Sequence, residues 1–237
     1  MMLFLRSLLF YIGLIPAGLV FSTLALLLLP LPYQLRYQVL IRLGRFAIWW
    51  LEKTCQVSYQ VQGLENIPTT PAIVLSKHQS AWETIACQQI FPMQVWLLKR
   101  ELLWLPMLGW LLASLKPIAI ERKNLRQSLQ RIIEQGKQCL AQGLWIVIFP
   151  EGTRVAPGEK KRYGIGGALL AEKSGYPVVP VAVNSGQFWP PKSFIKRPGT
   201  IQVIIGPVIE STGKSYKEIN AKAEKWIEET MLTISEQ

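Results

Sequence analysis

The hydrophobic pattern divides the chain into an apolar N-terminal segment and a longer mixed region. Residues 7–35 contain no charged side chain, and residues 8–29 are almost continuously apolar. About 20 apolar residues span a bilayer core, so this segment predicts a membrane-embedded helix. A cleaved signal peptide fits less well, because its apolar region is typically about 7–15 residues long and no small-residue cleavage site follows here.

Pro16 is expected to divide this segment, because proline lacks an N–H and clashes with the preceding turn. The early piece is then too short to span alone, so a kinked span and a helical hairpin dipping into one leaflet both fit. Four cations follow the segment and one precedes it: Arg36, Arg42, Arg45 and Lys53 against Arg6. The positive-inside rule therefore places the rest of the chain in the cytoplasm.

Beyond Gly63 the pattern changes to short β-rich runs that alternate with helical ones. Seven runs predict strands, at residues 57–61, 72–75, 95–98, 118–120, 145–149, 178–183 and 201–205. Asn124 is a predicted cap of a core-packing helix, and Ser215 with Glu218 forms a capping box before a closing amphipathic helix. We predict an α/β domain over residues 55–237, with a mixed central sheet flanked by helices, after a membrane anchor and amphipathic helix over residues 1–54.

The composition favours a lipid partner. Lys and Arg outnumber Asp and Glu by 26 to 15, which gives a formal charge of +11 and predicts attraction to anionic surfaces. Nucleic acid, anionic lipid and an acidic carrier protein all qualify on charge. Half of the residues are hydrophobic and nine are Trp, which is ordinary for a protein on a bilayer and unusual for a nucleic-acid binder.

The three cysteines do not predict a metal site or a disulfide. Cys55, Cys87 and Cys139 are an odd number without metal-ligand spacing, which favours reduced thiols in a cytosol-facing protein. Cys87 lies near His78 in sequence, but it falls on the apolar face of a predicted helix. We therefore expect a buried structural thiol.

His78 is the only histidine of the chain, and it directly follows a predicted strand. Glu83 lies five residues later, which is not a one-face spacing on a continuous helix. The two side chains can pair only if His78 lies on a loop before a helix that carries Glu83, and Ser80 is a plausible cap for such a helix. A carboxylate that holds one imidazole nitrogen leaves the other free to accept a proton from a hydroxyl. A lone surface histidine and a solvated glutamate are the alternative.

Two further motifs follow predicted strands. The run Phe149-Pro150-Glu151-Gly152-Thr153-Arg154 comes after a strongly hydrophobic strand, and strand ends of α/β folds open onto the ligand crevice. Arg122 follows another strand, and a guanidinium suits bidentate contact with phosphate. A polar turn and a surface ion pair are the alternatives. Basic clusters near Arg122, Lys160 and Lys192–Arg197, the last beside Trp189 and Phe194, fit anionic headgroups or an acidic acyl carrier protein.

Several of these runs together resemble one family. They are His78-Gln79-Ser80-Ala81-Trp82-Glu83, Lys99-Arg100-Glu101-Leu102 with Pro106 and Gly109-Trp110, Glu121-Arg122, Phe149 to Arg154, and Val179-Pro180-Val181. Their order and spacing resemble those of the lysophosphatidate acyltransferase family over roughly residues 55–210. The chain departs from the family pattern at Glu83, where the family usually has Asp.

The resemblance implies specific roles. The histidine would deprotonate a glycerol hydroxyl that attacks an acyl thioester, and the acidic partner would orient it. Glu151 and Gly152, with Thr153 beside them, would belong to the glycerol-phosphate site, and Lys99 would belong to a supporting motif. Arg122 and Arg154 would hold the phosphate. Glu in place of Asp keeps the charge and adds one methylene, so the chemistry survives if the helix lies slightly farther back.

The resulting hypothesis is an enzyme of the bacterial inner membrane that needs no cofactor and no metal and acts on the cytoplasmic face. Its acceptor would be lysophosphatidate, and its acyl donor would be a thioester of acyl carrier protein or coenzyme A. It would also bind anionic membrane lipids. No nucleic acid is expected. The chain lacks a complete P-loop, a dinucleotide fingerprint and the G-x-S-x-G elbow of ordinary lipases. Acylation of another lysolipid and a catalytically silent lipid-binding protein are the alternatives.

Overall fold

The computed structural model describes residues 1–121 and 124–235, in which two N-terminal helices precede a domain of alternating strands and helices. The N-terminal pair is α1 (Met2–Leu27) and α2 (Tyr33–Cys55). The strands are β1 (Val57–Gln62), β2 (Ile73–Ser76), β3 (Gln94–Lys99), β4 (Ile118–Ile120), β5 (Trp145–Ile148), β6 (Val178–Val183) and β7 (Gly199–Ile205). The later helices are α3 (Trp82–Ile90), α4 (Leu108–Ser114), α5 (Leu125–Ala141), α6 (Gly166–Ser174) and α7 (Tyr216–Ser235).

The seven strands form one sheet in the order β1-β7-β6-β2-β5-β3-β4. Every neighbouring pair is parallel except β6 and β7, which are antiparallel. The predicted α/β fold with a mixed central sheet is therefore confirmed. Each predicted strand is present, and its ends differ from the prediction by at most two residues.

Helices cover both faces of the sheet, which explains why its central strands are almost entirely apolar. Every residue of β2, β5 and β6 is buried. Val74 packs into the cluster that includes Leu40 and Trp82, whereas Ile73 and Leu75 pack into the cluster of the α5–α7 side. This alternation directs successive side chains at the end of β2 toward opposite layers.

The predicted helix starts are confirmed for α5 and α7. Asn124 accepts a hydrogen bond from the backbone N–H of Gln127 at 3.2 Å. The carboxylate of Glu218 accepts from the N–H of Ser215 at 2.8 Å, which completes a capping box at the start of α7.

The prediction that Pro16 divides the apolar segment is wrong. Pro16 lies inside α1, which is one continuous helix. A proline removes one intrahelical hydrogen bond, and the many remaining apolar residues on both sides keep the helix intact. Among the described residues, α1 is the one helix long and apolar enough to cross a membrane by length and composition, and most of its apolar stretch is unburied.

Contacts hold the start of α1, and the segment just beyond its end, against the rest of the protein. Near its start, the hydroxyl of Ser7 accepts from the backbone N–H of Lys196 at 2.9 Å, and the indole of Trp50 donates to the carbonyl of Phe10 at 3.1 Å. Beyond its end, Arg36 donates to the carbonyl of Leu29 at 3.1 Å and to that of Ser114 in α4 at 2.9 Å. The helix therefore lies along the domain.

Candidate active site

The candidate site lies where three adjacent strands end at the same edge of the sheet. Strand β2 pairs in parallel with β5 on one side and β6 on the other, so their carboxyl ends lie together. His78 follows β2, the run from Phe149 to Arg154 follows β5, and Ser185 follows β6. Motifs that are far apart in sequence thus form one group of loops.

Contacts from the β5 loop fix the position of His78. Its imidazole stacks on the ring of Phe149, with ring centroids 4.0 Å apart and planes inclined by 17°. Its carbonyl accepts a hydrogen bond from the backbone N–H of Val155 at 2.8 Å. The side chain is 12% exposed, so the ring is held firmly while an edge remains accessible to a substrate.

The structure brings His78 and Glu83 together because His78 lies on a loop and Glu83 lies on the helix that follows it, as their spacing requires. Helix α3 begins at Trp82, one residue later than predicted, and the hydroxyl of Ser80 accepts from the N–H of Trp82 at 3.1 Å. Nδ1 of His78 lies 4.0 Å from Oε1 of Glu83. That distance exceeds a hydrogen bond, and catalytic contacts of this kind often shorten only when substrate binds.

Glu83 is a buried carboxyl held by the backbone of the histidine loop. Its Oε1 accepts from the N–H of Gln79 at 2.5 Å and from that of Ser80 at 2.8 Å. Burial raises its pKa to about 7, although these N–H groups and the hydroxyl of Ser185 partly oppose the rise. The carboxyl can therefore exchange a proton near neutral pH, and it binds the loop backbone while lying 4.0 Å from the imidazole.

Glu151 faces into the protein. Its Oε1 lies 3.4 Å from the backbone N–H of His78 and 3.4 Å from Nζ of Lys77, and its side chain is fully buried. Burial raises the pKa of Glu151 to about 7, and Lys77 opposes this rise. Gly152, the next residue, has φ 66°, a left-handed conformation that favours glycine. Thr153 and Arg154, which follow it, are exposed.

The remaining predicted site residues lie toward the β3–β4 side. Lys99 is exposed at the carboxyl end of β3, next to β5, and so lies on the same edge of the sheet. Arg122 lies outside the described residues. Its neighbour Glu121 pairs with Arg100.

Sequence reasoning missed the residues that support the site from behind. Lys77 is 1% exposed and its Nζ donates to Oε1 of Glu228 in α7 at 2.6 Å. Tyr163 donates to the same oxygen at 2.9 Å. The sequence signal for these residues was that Lys77 directly follows an apolar strand, because a lysine buried there must be paired with a counterion. The identity of that counterion was not readable, because it lies 151 residues away.

Two expectations about single side chains have different outcomes. Cys87 is buried, as predicted, and burial raises the pKa of its thiol well above the usual range. The assignment of Lys196 to a lipid-facing basic cluster is wrong, because this lysine is fully buried. Its Nζ donates to the hydroxyl of Tyr11 at 2.5 Å and lies over the rings of Tyr11 and Trp189, so it fastens α1 to the domain.

Comparisons with known proteins identify the family. Residues 58–184 match the family model described as Acyltransferase. The chain is 44% identical to the 1-acyl-sn-glycerol-3-phosphate acyltransferase of Pseudomonas aeruginosa over 236 residues, which cover 98% of this chain and 92% of that protein. It is 29% identical to the human 1-acyl-sn-glycerol-3-phosphate acyltransferase alpha over 181 residues, 75% of this chain and 64% of the relative.

The fold is also found in a solved structure. The crystal structure of a 1-acyl-sn-glycerophosphate acyltransferase from Thermotoga maritima superposes with a TM-score of 0.81 at 23% identity, covering 98% of this chain and 96% of that one. This similarity shows the fold, and the near full-length match to the Pseudomonas protein shows the family. The chain is an acyltransferase that belongs to the 1-acyl-sn-glycerol-3-phosphate acyltransferase family.

Proposed function

We propose that the protein transfers a fatty acyl group from an acyl thioester to the sn-2 hydroxyl of 1-acylglycerol-3-phosphate, giving phosphatidate for phospholipid synthesis. The observation that carries this proposal is the fixed imidazole of His78 beside the buried carboxyl of Glu83. Family membership supports it, because the Pseudomonas and human relatives bear the name of this activity.

In the proposed reaction His78 is the catalytic base. Nδ1 of His78 faces Glu83, so Nε2, on the opposite side of the ring, would be the atom that accepts the hydroxyl proton. Nε2 takes the hydroxyl proton as the oxygen attacks the thioester carbonyl, and ionised Glu83 stabilises the imidazolium. The tetrahedral intermediate then collapses, the C–S bond breaks, and the proton leaves with the thiolate as a thiol.

The acceptor phosphate would bind the cations around this edge of the sheet. Arg154 is exposed beside the reactive histidine loop, and Lys99 is exposed at the end of a strand beside β5. With Arg122 they form the proposed phosphate site, and Gly152 and Thr153 would line it. The exposed guanidinium of Arg154 suits bidentate contact with phosphate oxygens.

We propose that the protein associates with a membrane through its apolar helix, and that this membrane is the bacterial inner membrane with the domain on the cytoplasmic face. The contacts at both ends of α1 favour a hairpin of α1 and α2 lying in one leaflet over a free span, since a span would carry one end away from the domain. A lipid acceptor could then enter from the bilayer.

The acyl donor is proposed to be a thioester of acyl carrier protein or coenzyme A. Both would be attracted by the net charge of +11, because the carrier protein is acidic and coenzyme A carries phosphates. Another lysolipid as acceptor is the second candidate, and a panel of lysolipids with each donor decides between them.

The phosphate assignment is tested with Arg154→Ala and two acceptors, lysophosphatidate and monoacylglycerol. Losing a charge-assisted contact of about 1.5–3 kcal/mol should weaken lysophosphatidate use by roughly ten- to a hundredfold and spare the acceptor without phosphate. Arg122→Ala should behave in the same way. Arg126→Ala, at an exposed position of α5, is the matched control and should leave both acceptors unchanged. Equal losses on both acceptors would assign Arg154 to the donor site or the fold.

A further inference from the structure

A buried polar network lies directly behind the candidate site. It consists of Lys77, Glu151, Tyr163 and Glu228, called here the Lys77 network. The lysine and Tyr163 are buried, the Glu151 side chain is fully buried, and that of Glu228 is 14% exposed. Burying charges away from water costs free energy unless they are paired. Such a network therefore needs contacts that offset this cost, or a function for which it is retained.

The network joins the backbone of His78 to the C-terminal helix. Lys77 donates to Glu228 on α7 at 2.6 Å and lies 3.4 Å from Oε1 of Glu151. The same oxygen of Glu151 faces the N–H of His78 at 3.4 Å. Because successive residues at the end of β2 point to opposite layers, the imidazole reaches α3 while the lysine reaches α7. The dipeptide Lys77-His78 thus places the imidazole on one face of the sheet and the supporting lysine on the other.

We propose that Lys77 is a positioning residue, which holds Glu151 against the peptide N–H of His78 and is itself anchored to α7 by Glu228. Lys77 is fixed along its backbone as well, because its N–H donates to the carbonyl of Val181 in β6 at 2.9 Å. Any shift of the lysine would therefore move the loop that sets the distance from His78 to Glu83. Glu151 would serve the reaction from behind, without touching the acceptor.

The charges of the network are balanced only in part. The Glu151 carboxyl lies near Lys77 and the N–H of His78 at the end of β2, and near Tyr163 in the segment before α6. Tyr163 in turn lies near Glu224 and Glu228 of α7. The single lysine is shared between two carboxyls, so removing the lysine and removing Glu228 should affect Glu151 in opposite directions. Without the cation the pKa of Glu151 should rise further, and without the competing carboxylate it should fall.

The inference rests on the proposed role of His78, and the test uses the full-length protein in detergent with lysophosphatidate and an acyl thioester. Lys77→Met should lower kcat by roughly ten- to a hundredfold, the size expected for a small misplacement of a reacting group, with KM for both substrates changed less than about threefold. The acid limb of its kcat profile should move to higher pH. Glu228→Gln should move the same limb to lower pH.

Matched controls lie one turn apart on the solvent side of α7. Lys225→Met and Glu229→Gln make the same chemical changes at an exposed ion pair and should alter neither kcat nor the pH profile. In a Glu151→Gln background, Lys77→Met should have little further effect, because the residue through which it acts is already neutral. Lys77→Arg should restore part of the loss, since it keeps the charge.

Several results would overturn the proposal. The first is a kcat of Lys77→Met equal to that of Lys225→Met. The second is a shift of the acid limb of the kcat profile in the same direction for Lys77→Met and Glu228→Gln. The third is an effect of Lys77→Met that is as large in the Glu151→Gln background as in wild type. If Lys77→Met does not fold, Glu228→Gln and Lys77→Arg carry the same test. A wild-type protein without turnover would refute the proposed function, and the network would then be tested by thermal unfolding. In that measurement Lys77→Met should lose more stability than wild type as the pH rises above 7.

Discussion

Replacing Glu83 with Gln should stabilise the protein while inactivating it. Burial raises the pKa of this carboxyl from 4.5 to about 7, so its ionised form is disfavoured in the folded state. Gln resembles the protonated acid: its oxygen can still accept from the N–H groups of Gln79 and Ser80, and it carries no charge. The variant should therefore remove the energetic cost of the charge and also its benefit to the imidazolium.

The magnitude follows from the pKa. Because one pKa unit corresponds to about 1.4 kcal/mol, the buried charge costs the folded protein about 3 kcal/mol above neutral pH. A carboxyl with a raised pKa contributes stability that is fully present below pH 4.5 and is lost as the pH rises through about 7. The melting temperature of Glu83→Gln should thus exceed that of wild type by roughly 5–10 °C at pH 8 and by little near pH 4.5.

The assay combines thermal unfolding at both pH values with initial rates of phosphatidate formation. Turnover should fall by roughly 10²–10⁴-fold, the range for a disabled general base. Glu229→Gln, a surface change of the same kind, should alter neither property. A Glu83→Gln protein that is less stable than wild type at pH 8, or one that retains normal turnover, would refute the reasoning.

Two further outcomes are expected. High salt should not release the protein from membranes, because screening weakens charge attraction and leaves the burial of α1 intact; release by salt alone would show that surface cations anchor it. Arg154→Lys should fall between wild type and Arg154→Ala in lysophosphatidate use, since Lys keeps the charge and loses the guanidinium fork; activity equal to that of Arg154→Ala would show that the fork is essential.

The fold was predictable because its signals are local. Runs such as Val178–Val183 are apolar at every position, which is typical of a strand covered on both faces, and Asn124 marks a helix start by itself. The pairing of His78 with Glu83 was also local, since it required only a break in the chain between the two residues. Short-range patterns were therefore sufficient to predict most helices and strands and the pairing of His78 with Glu83.

The supporting contacts were not predictable because they join distant segments. Glu228 meets Lys77 only after the sheet brings β2 under α7, and Lys196 is buried only because α1 lies across its loop. A lysine among aromatic residues has the same sequence pattern on a lipid-facing surface and in an aromatic pocket. The continuation of α1 through Pro16 was likewise not readable, because a proline can lie inside a long apolar helix as well as between two helices.

The central claim is that His78 is the base that activates the acceptor hydroxyl. The most direct test compares wild type and His78→Ala, both full-length and matched for unfolding temperature and membrane association, in the conversion of lysophosphatidate and an acyl thioester to phosphatidate. The account predicts that wild type forms phosphatidate and that the variant is slower by at least roughly 10²–10⁴-fold. Near-normal phosphatidate formation by a well-folded His78→Ala protein would contradict it.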